Sequence, residues 1–308
     1  MLESQLNRNR NGQINIILHN NNNKPKIERN NRLEFSENEQ YKAIDREFSS
    51  FIGMDKLKTT IKEIYATILI NEKRKELGLN SSKQVLHMLF KGNPGTGKTT
   101  VARKLAKIYF NMNILSKGHF VEAERADLVG EYIGQTAQKT RAIIQKAMGG
   151  ILFIDEAYSL ARGGDKDFGK EAIDTLVKHM EDHHNDFVLI LAGYPHEMEK
   201  FLLLNPGLQS RFPFILNFED YGVDQLLEIA KQMVGEREYQ LTKEAEWELR
   251  NHLYNKTSGS IRNFSNARYV RNVIERAIRM HAVRLIQEDR FTAEDLTKIT
   301  AKDLQMDD

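Results

Sequence analysis

Apolar residues recur at helical spacing through residues 54–78, MDKLKTTIKEIYATILINEKRKELG, and the pattern stops at Gly78. Beyond that glycine the period changes. VLHMLFKG at 85–92 and GHFVEAE at 118–124 read as strands, and GGILFIDEA at 149–157 and FVLILAGYP at 187–195 as further apolar strands, with a helix, GKEAIDTLVKHMED, expected at 169–182. Strands alternating with helices predict an α/β sandwich on a largely parallel sheet. Past residue 220 the signal turns helical, with patterns at 223–239, 242–257 and 266–289 and a further cap and turn at TAEDL, 292–296. The expected division is therefore an extension over 1–48, an α/β core over 49–220 and an all-helical subdomain with a tail over 221–308.

Composition narrows this picture in two places. The first 32 residues hold ten Asn, with INIIL at 14–18 as the one short apolar run, which fits a weakly ordered arm. Over the 308 residues, 45 Lys and Arg stand against 43 Asp and Glu, so the net charge of +2 offers no argument for nucleic acid. Cysteine is absent, which removes disulfides, thiol chemistry and cysteine metal sites and suits a reducing compartment such as the cytoplasm. No apolar run approaches the about 18 residues of a membrane-spanning helix, and no signal-peptide pattern opens the chain.

The chemistry concentrates in GNPGTGKT, 92–99, which matches G-x-x-x-x-G-K-[ST] and lies between a strand and the helical TVARKLAKIYF. Such a loop lets backbone N–H groups curl around phosphates while the next helix presents its N-terminus to the same charge. Asn93, Pro94, Gly95, Thr96, Gly97, Lys98, Thr99 and Thr100 are the expected nucleotide-binding residues; Lys98 reaches the β- and γ-phosphates and Thr99 ligates Mg²⁺. ILFIDEA then runs a strand into Asp155 and Glu156 at the sheet edge where ligands bind. Asp155 is expected to orient Mg²⁺ through water, and Glu156 to align and activate the water that attacks the γ-phosphate.

FIG at 51–53, GNPGTGKT, YIG at 132–134, ILFIDEA, NPGLQSRF at 205–212 and FSNARYVRN at 264–272 occur in the order found in AAA+ ATPases. The chain resembles the CbbX-like branch of that family over about residues 49–300. The resemblance implies a P-loop NTPase core with a helical lid, ATP and Mg²⁺ as ligands, and assembly into a ring, expected to be a hexamer. By the same resemblance Arg211 is the arginine finger that reaches a neighbour's ATP, and Arg268 is the sensor arginine of its own subunit, with Arg271 and Arg262 as competitors. Both guanidinium groups suit phosphate geometry, and both have surface ion pairing as the alternative. Ile52 and Gly53 fall where the family approaches adenine. Tyr194 stands where it usually has Asn or Thr, so that position is open between a sensor and a packing residue. Tyr132, Ile133 and Gly134 match a pore loop that grips extended substrate, with a local packing loop as the alternative.

His179, His183 and His184 lie close in sequence, but two imidazoles four residues apart make no closed zinc site, and helix-end histidines are the simpler reading. The basic, amphipathic RYVRNVIERAIRMHAVR reads better as a lid helix than as a nucleic-acid or membrane surface. Two functions follow. One is ATP-driven remodelling of a protein or peptide-like partner; the other is a nucleotide-controlled scaffold or nucleic-acid-associated switch. Within the branch the likeness extends to sporulation proteins of endospore-forming bacteria, which implies work in the cytoplasm during late spore maturation.

Overall fold

Alternation inside the apolar strands sets the architecture. In β1 (Met88–Gly92), Met88 and Phe90 turn to one core and Leu89 to the other, all fully buried, so the strand requires cover on both faces. The computed structural model describes residues 39–49, 51–81, 84–163, 167–184, 186–258, 264–288 and 291–306. β2 (Phe120–Ala123), β3 (Ile151–Ile154), β4 (Val188–Gly193) and β5 (Phe214–Phe218) join β1 in a sheet of order β2-β3-β4-β1-β5, parallel throughout. Met88 stands opposite Ile190 on one side and Phe214 on the other.

One face is covered by α1 (Glu39–Phe48), α2 (Asp55–Glu76) and α3 (Lys98–Asn111), whose Phe48, Ile61 and Leu105 pack with Phe90 and Phe153. After the one-turn α4 (Arg125–Leu128), the other face is covered by α5 (Gln135–Ala147), α6 (Gly169–Asp182) and α7 (Pro195–Leu204), whose Ile144, Leu176 and Phe201 pack with Leu89, Leu152 and Leu191. The one-turn α8 (Pro206–Gln209) leads into β5. Each fully buried Leu, Ile or Phe side chain contributes on the order of 1.5–3 kcal/mol of burial.

α1 corrects the extension expected over 1–48. Ile44 and Phe48, four residues apart, have no exposure and belong to the core, so that part of the segment is helix. The Asn-rich arm and INIIL lie outside the described residues. After residue 220, α9 (Val223–Gly235), α10 (Lys243–Ser258) and α11 (Asn266–Gln287) form a separate core around Leu226, Leu249, Leu253, Val270 and Ile274. This subdomain is helical apart from one parallel pair that periodicity does not reveal, β6 (Gln240–Leu241) with β7 (Lys298–Ile299), because two residues carry no period. At 292–295, Thr292 N–H donates to Asp295 Oδ2 at 2.8 Å and opens a single 3-10 turn. Near the end of the described chain, Arg284 Nε donates to buried Asp303 at 2.8 Å; burial would raise that carboxyl's pKa, but the guanidinium holds it below the usual range.

Candidate nucleotide site

The P-loop leaves β1 at its C-terminal end and enters α3. Two of its glycines have left-handed backbones, Gly95 at φ 71° and Gly97 at φ 94°. A Cβ at Gly95 would overlap the Ser265 carbonyl and stand 2.8 Å from Arg268 N; one at Gly97 would stand 2.9 Å from Met54 Cε. The missing side chains thus let the lid backbone pack on the loop at Gly95 and Met54 pack on it at Gly97. Thr96 is buried and donates to Asn93 O at 2.8 Å, bracing the loop from within. Lys98 opens α3, and its Nζ donates to Gly92 O at 2.7 Å and Asn93 O at 2.8 Å. Burial lowers the pKa of Lys98, while Asp155 acts in the opposite direction.

A cavity of about 250 Å³ gathers Lys98, Thr99, Asp155, Glu156, Tyr194 and Arg268. It shares Gly95, Gly97, Thr100, Ala267 and Arg271 with a larger cavity of about 650 Å³, so the two form one cleft. Phe51 and Ile52 line the larger part with Tyr221, Met233 and Ile274, giving apolar surface on the scale of a nucleobase and ribose. Gly53 sits outside this lining, in a separate recess with Met54 and Asp220, where its φ of 70° turns the chain into α2. Asn93 also points elsewhere, its amide donating to both oxygens of Asp220 at 3.0 and 2.9 Å.

Asp155 and Glu156 follow β3. Asp155 Oδ1 accepts the Glu156 N–H at 2.9 Å, and Glu156 holds a left-handed backbone at φ 45°. Such strain in a non-glycine residue is a feature of positions held for function. Arg162 Nη2 lies 3.9 Å from Glu156 Oε2, and the same guanidinium sits 4.9 Å above the Tyr158 ring. Burial first, then the Glu156 charge, pushes the Tyr158 phenol well above its usual range, so the hydroxyl keeps its proton. The Tyr158 and Tyr194 rings are 5.9 Å apart. Tyr194, which precedes α7, packs on the second core and also lines the cavity with Lys98 and Asp155. Thr99, Asp155 and the phosphate-facing cleft offer the hard oxygen donors that suit Mg²⁺.

Arg211 and the Tyr132–Gly134 segment lie away from this cleft. Arg211 ion-pairs with Glu181 in the last turn of α6, and its Nε is buried without a hydrogen-bond partner. Tyr132 and Ile133 are 68% and 89% exposed, which excludes core filling for either. Gly134, at φ 84°, turns the chain from them into α5. Arg271 lines both parts of the cleft, so geometry leaves it beside Arg268, whereas Arg262 lies outside the described residues. His179 and His183 stack at 5.5 Å, and burial, followed by the His183 charge, lowers the His179 pKa. Among the described residues no three His, Asp or Glu converge as a metal cluster, and no helix is long and apolar enough to cross a membrane.

The junction between sheet and lid carries no sequence motif. Asn266, the first residue of NAR, and Asp220, at the core's end, meet there, and Asn266 is fully buried. The available signal was a polar residue, Asn266, at the head of a helix that otherwise packs through apolar positions.

The P-loop, the acidic pair and the lid arginines around one cleft define an ATPase core of the AAA class with its helical lid. Residues 88–220 match the ATPase family associated with various cellular activities, and 222–308 match the AAA lid domain; the chain belongs to this family, whose ATPase domain binds nucleotide. Among particular proteins, it is 59% identical to stage V sporulation protein K of Bacillus subtilis, over 99% of this chain and 98% of that one. It is 43% identical to the chloroplastic ribulose bisphosphate carboxylase/oxygenase activase of Cyanidioschyzon merolae, over 89% and 94% of the two chains. A Thermotoga maritima RuvB mutant shares the fold at a TM-score of 0.51 and 22% identity, covering 81% of this chain and 70% of its own.

Proposed function

We propose that the protein hydrolyses ATP and uses the cycle, within a ring of its own copies, to remodel a protein or peptide-like partner. The observation that carries this reading is the convergence of Lys98, Thr99, Asp155, Glu156 and Arg268 on one cleft, while Arg211, Tyr132 and Ile133 stand apart from it.

The P-loop amides and the N-terminus of α3 hold the phosphates, and the Lys98 ammonium neutralises charge on the β- and γ-groups. Thr99 and Asp155 would hold Mg²⁺, which supplies electrostatic stabilisation to the phosphate oxygens when bound. The Glu156 carboxylate orients a water for in-line attack and accepts its proton. The new bond joins water oxygen to the γ-phosphorus as the bond to the β,γ-bridging oxygen breaks, giving ADP and phosphate. Arg211 lies outside its own subunit's cleft and serves the neighbour's ATP, while Arg268 serves its own from the lid. The exposed Tyr132–Ile133 pair, turned out by Gly134, contacts the partner through an aromatic ring and an aliphatic surface. A hexamer is the proposed assembly, and the relationship to stage V sporulation protein K supports a cytoplasmic role late in spore maturation.

Glu156→Gln tests the reading. It removes the proton acceptor and nearly preserves shape, so ATP binding is retained and turnover falls by about a hundredfold or more; unchanged hydrolysis removes Glu156 from the mechanism. The same variant held with ATP should retain the partner. Recovery of only DNA or RNA, without protein or peptide, would favour the nucleic-acid switch.

A further inference from the structure

The P-loop and the lid are joined by polar groups around one buried carboxamide, with Asp220 exposed on its outer side. Asn266 opens α11, is fully buried, and holds φ at 48°, in the left-handed region. Its Nδ2 donates to Asp220 Oδ1 at 2.7 Å, to Phe264 O at 3.2 Å and to Pro94 O at 3.3 Å. Its Oδ1 accepts the Tyr221 N–H at 2.9 Å. Asp220 also receives Asn93 Nδ2, from the other side of the P-loop. Beside this cluster the Ala267 N–H donates to Gly95 O at 3.2 Å. One carboxamide thus ties together the P-loop, the Asp220–Tyr221 segment between core and lid, and the lid helix.

We propose that Asn266 is a positioning residue for nucleotide binding: clasped by Asp220 and Pro94, it fixes α11 on the P-loop and thereby sets where Arg268 stands over the phosphates. The inference rests on the role given to Arg268 under the proposed function. Arg268 lies two residues along the same helix, where each residue advances only about 1.5 Å, so it cannot move independently of the clasp. Asparagine meets both demands of the position. It accepts a left-handed backbone more readily than most residues, and it carries a donor and an acceptor in one planar group. Aspartate tolerates the same backbone but has no donor when ionised, and would set a second carboxylate at hydrogen-bond distance from Asp220.

Asn266→Asp in the full chain, titrated with fluorescent ADP, should weaken binding by about tenfold or more, as expected when a buried hydrogen bond is replaced by an unsatisfied charge. Added to R268A, N266D should have little further effect. Binding by N266D equal to the parent, or an N266D defect of full size in the R268A background, would each overturn the proposal. Should N266D fail to melt cooperatively, Asn266→Ser provides the same titration, because its short hydroxyl cannot span Asp220 and Pro94; parental affinity in N266S would again overturn it. The two readings separate through R268A alone. Undiminished ADP and ATP binding by R268A sinks the role of Arg268, whereas weak binding by R268A with parental binding by N266D sinks only the clasp.

Discussion

His87 stands just before β1, 1% exposed, at the end of the sheet remote from the P-loop. Its ring centroid lies 5.5 Å from Phe187 and 6.3 Å from Phe212, and its Nδ1 accepts the Leu189 N–H at 3.0 Å. That bond requires a neutral ring with the proton on Nε2. Burial lowers the pKa from 6.5 to about 4, with a backbone contact at Met180 opposing and His184 adding to the shift. Between those two values the unfolded chain carries the proton and the folded chain does not, so stability is complete above pH 6.5 and declines as pH falls toward 4. The full gap corresponds to about 3 kcal/mol, of which about 2 kcal/mol is lost by pH 5. His87→Asn retains an acceptor for Leu189 and does not titrate. Other carboxylate pairs, including Arg284–Asp303, weaken with acid in both proteins and cancel in the comparison. Urea unfolding followed by circular dichroism at pH 7.5 and pH 5 should therefore show the parent losing about 2 kcal/mol relative to H87N on acidification. A difference unchanged to within about 0.5 kcal/mol would refute the buried neutral imidazole.

Arg211→Ala should reduce ATP hydrolysis by about a thousandfold, on the scale of an arginine finger's contribution, while retaining nucleotide binding. Mixing R211A with E156Q should restore turnover, because the E156Q subunit supplies an intact finger to a neighbour with an intact Glu156; mixtures as inactive as either parent would exclude action across an interface. Tyr132→Ala should leave the unfolding free energy within about 0.5 kcal/mol, as for an exposed residue, and lower partner-dependent work, read as loss of partner-stimulated phosphate release. A marked fall in melting temperature would instead assign Tyr132 to packing.

The strands and the phosphate loop were legible because each signal is local. β1, β3 and β4 are short apolar runs, and GNPGTGKT encodes its geometry in adjacent residues, with Gly95 and Gly97 taking the left-handed angles the loop needs. α1 was less legible, since an Asn-rich arm precedes a helix whose claim to the core rests on Ile44 and Phe48. β6 and β7 were invisible as a pair because each has two residues and 56 others lie between Leu241 and Lys298. The Asn93–Asp220–Asn266 cluster was illegible for the same physical reason. Asn93 and Asp220 are 127 residues apart, and only folding brings them into hydrogen-bond range.

The parts of the site differ in what holds them. Lys98 opens α3 and Asp155 and Glu156 follow β3, two elements packed into the sheet's buried cores, so their relative placement is set by one packed domain. Arg268 arrives on a different core, joined to the first through the Asn266 cluster and the Ala267–Gly95 hydrogen bond. Arg211 is held by Glu181 on α6, and α6 packs along α5, whose first turn follows Tyr132, Ile133 and Gly134. Under the proposed cycle the nucleotide is therefore met by a fixed set of groups from the sheet, one arginine carried by the lid and one carried by a neighbour. A change in lid angle moves Arg268 and must either break the Asn266 clasp or carry the P-loop with it, whereas Arg211 and the exposed Tyr132–Ile133 pair share a helix pair. In that cycle the neighbour's nucleotide would be coupled to Tyr132 through α6 and α5, and the subunit's own nucleotide to the lid through Asn266.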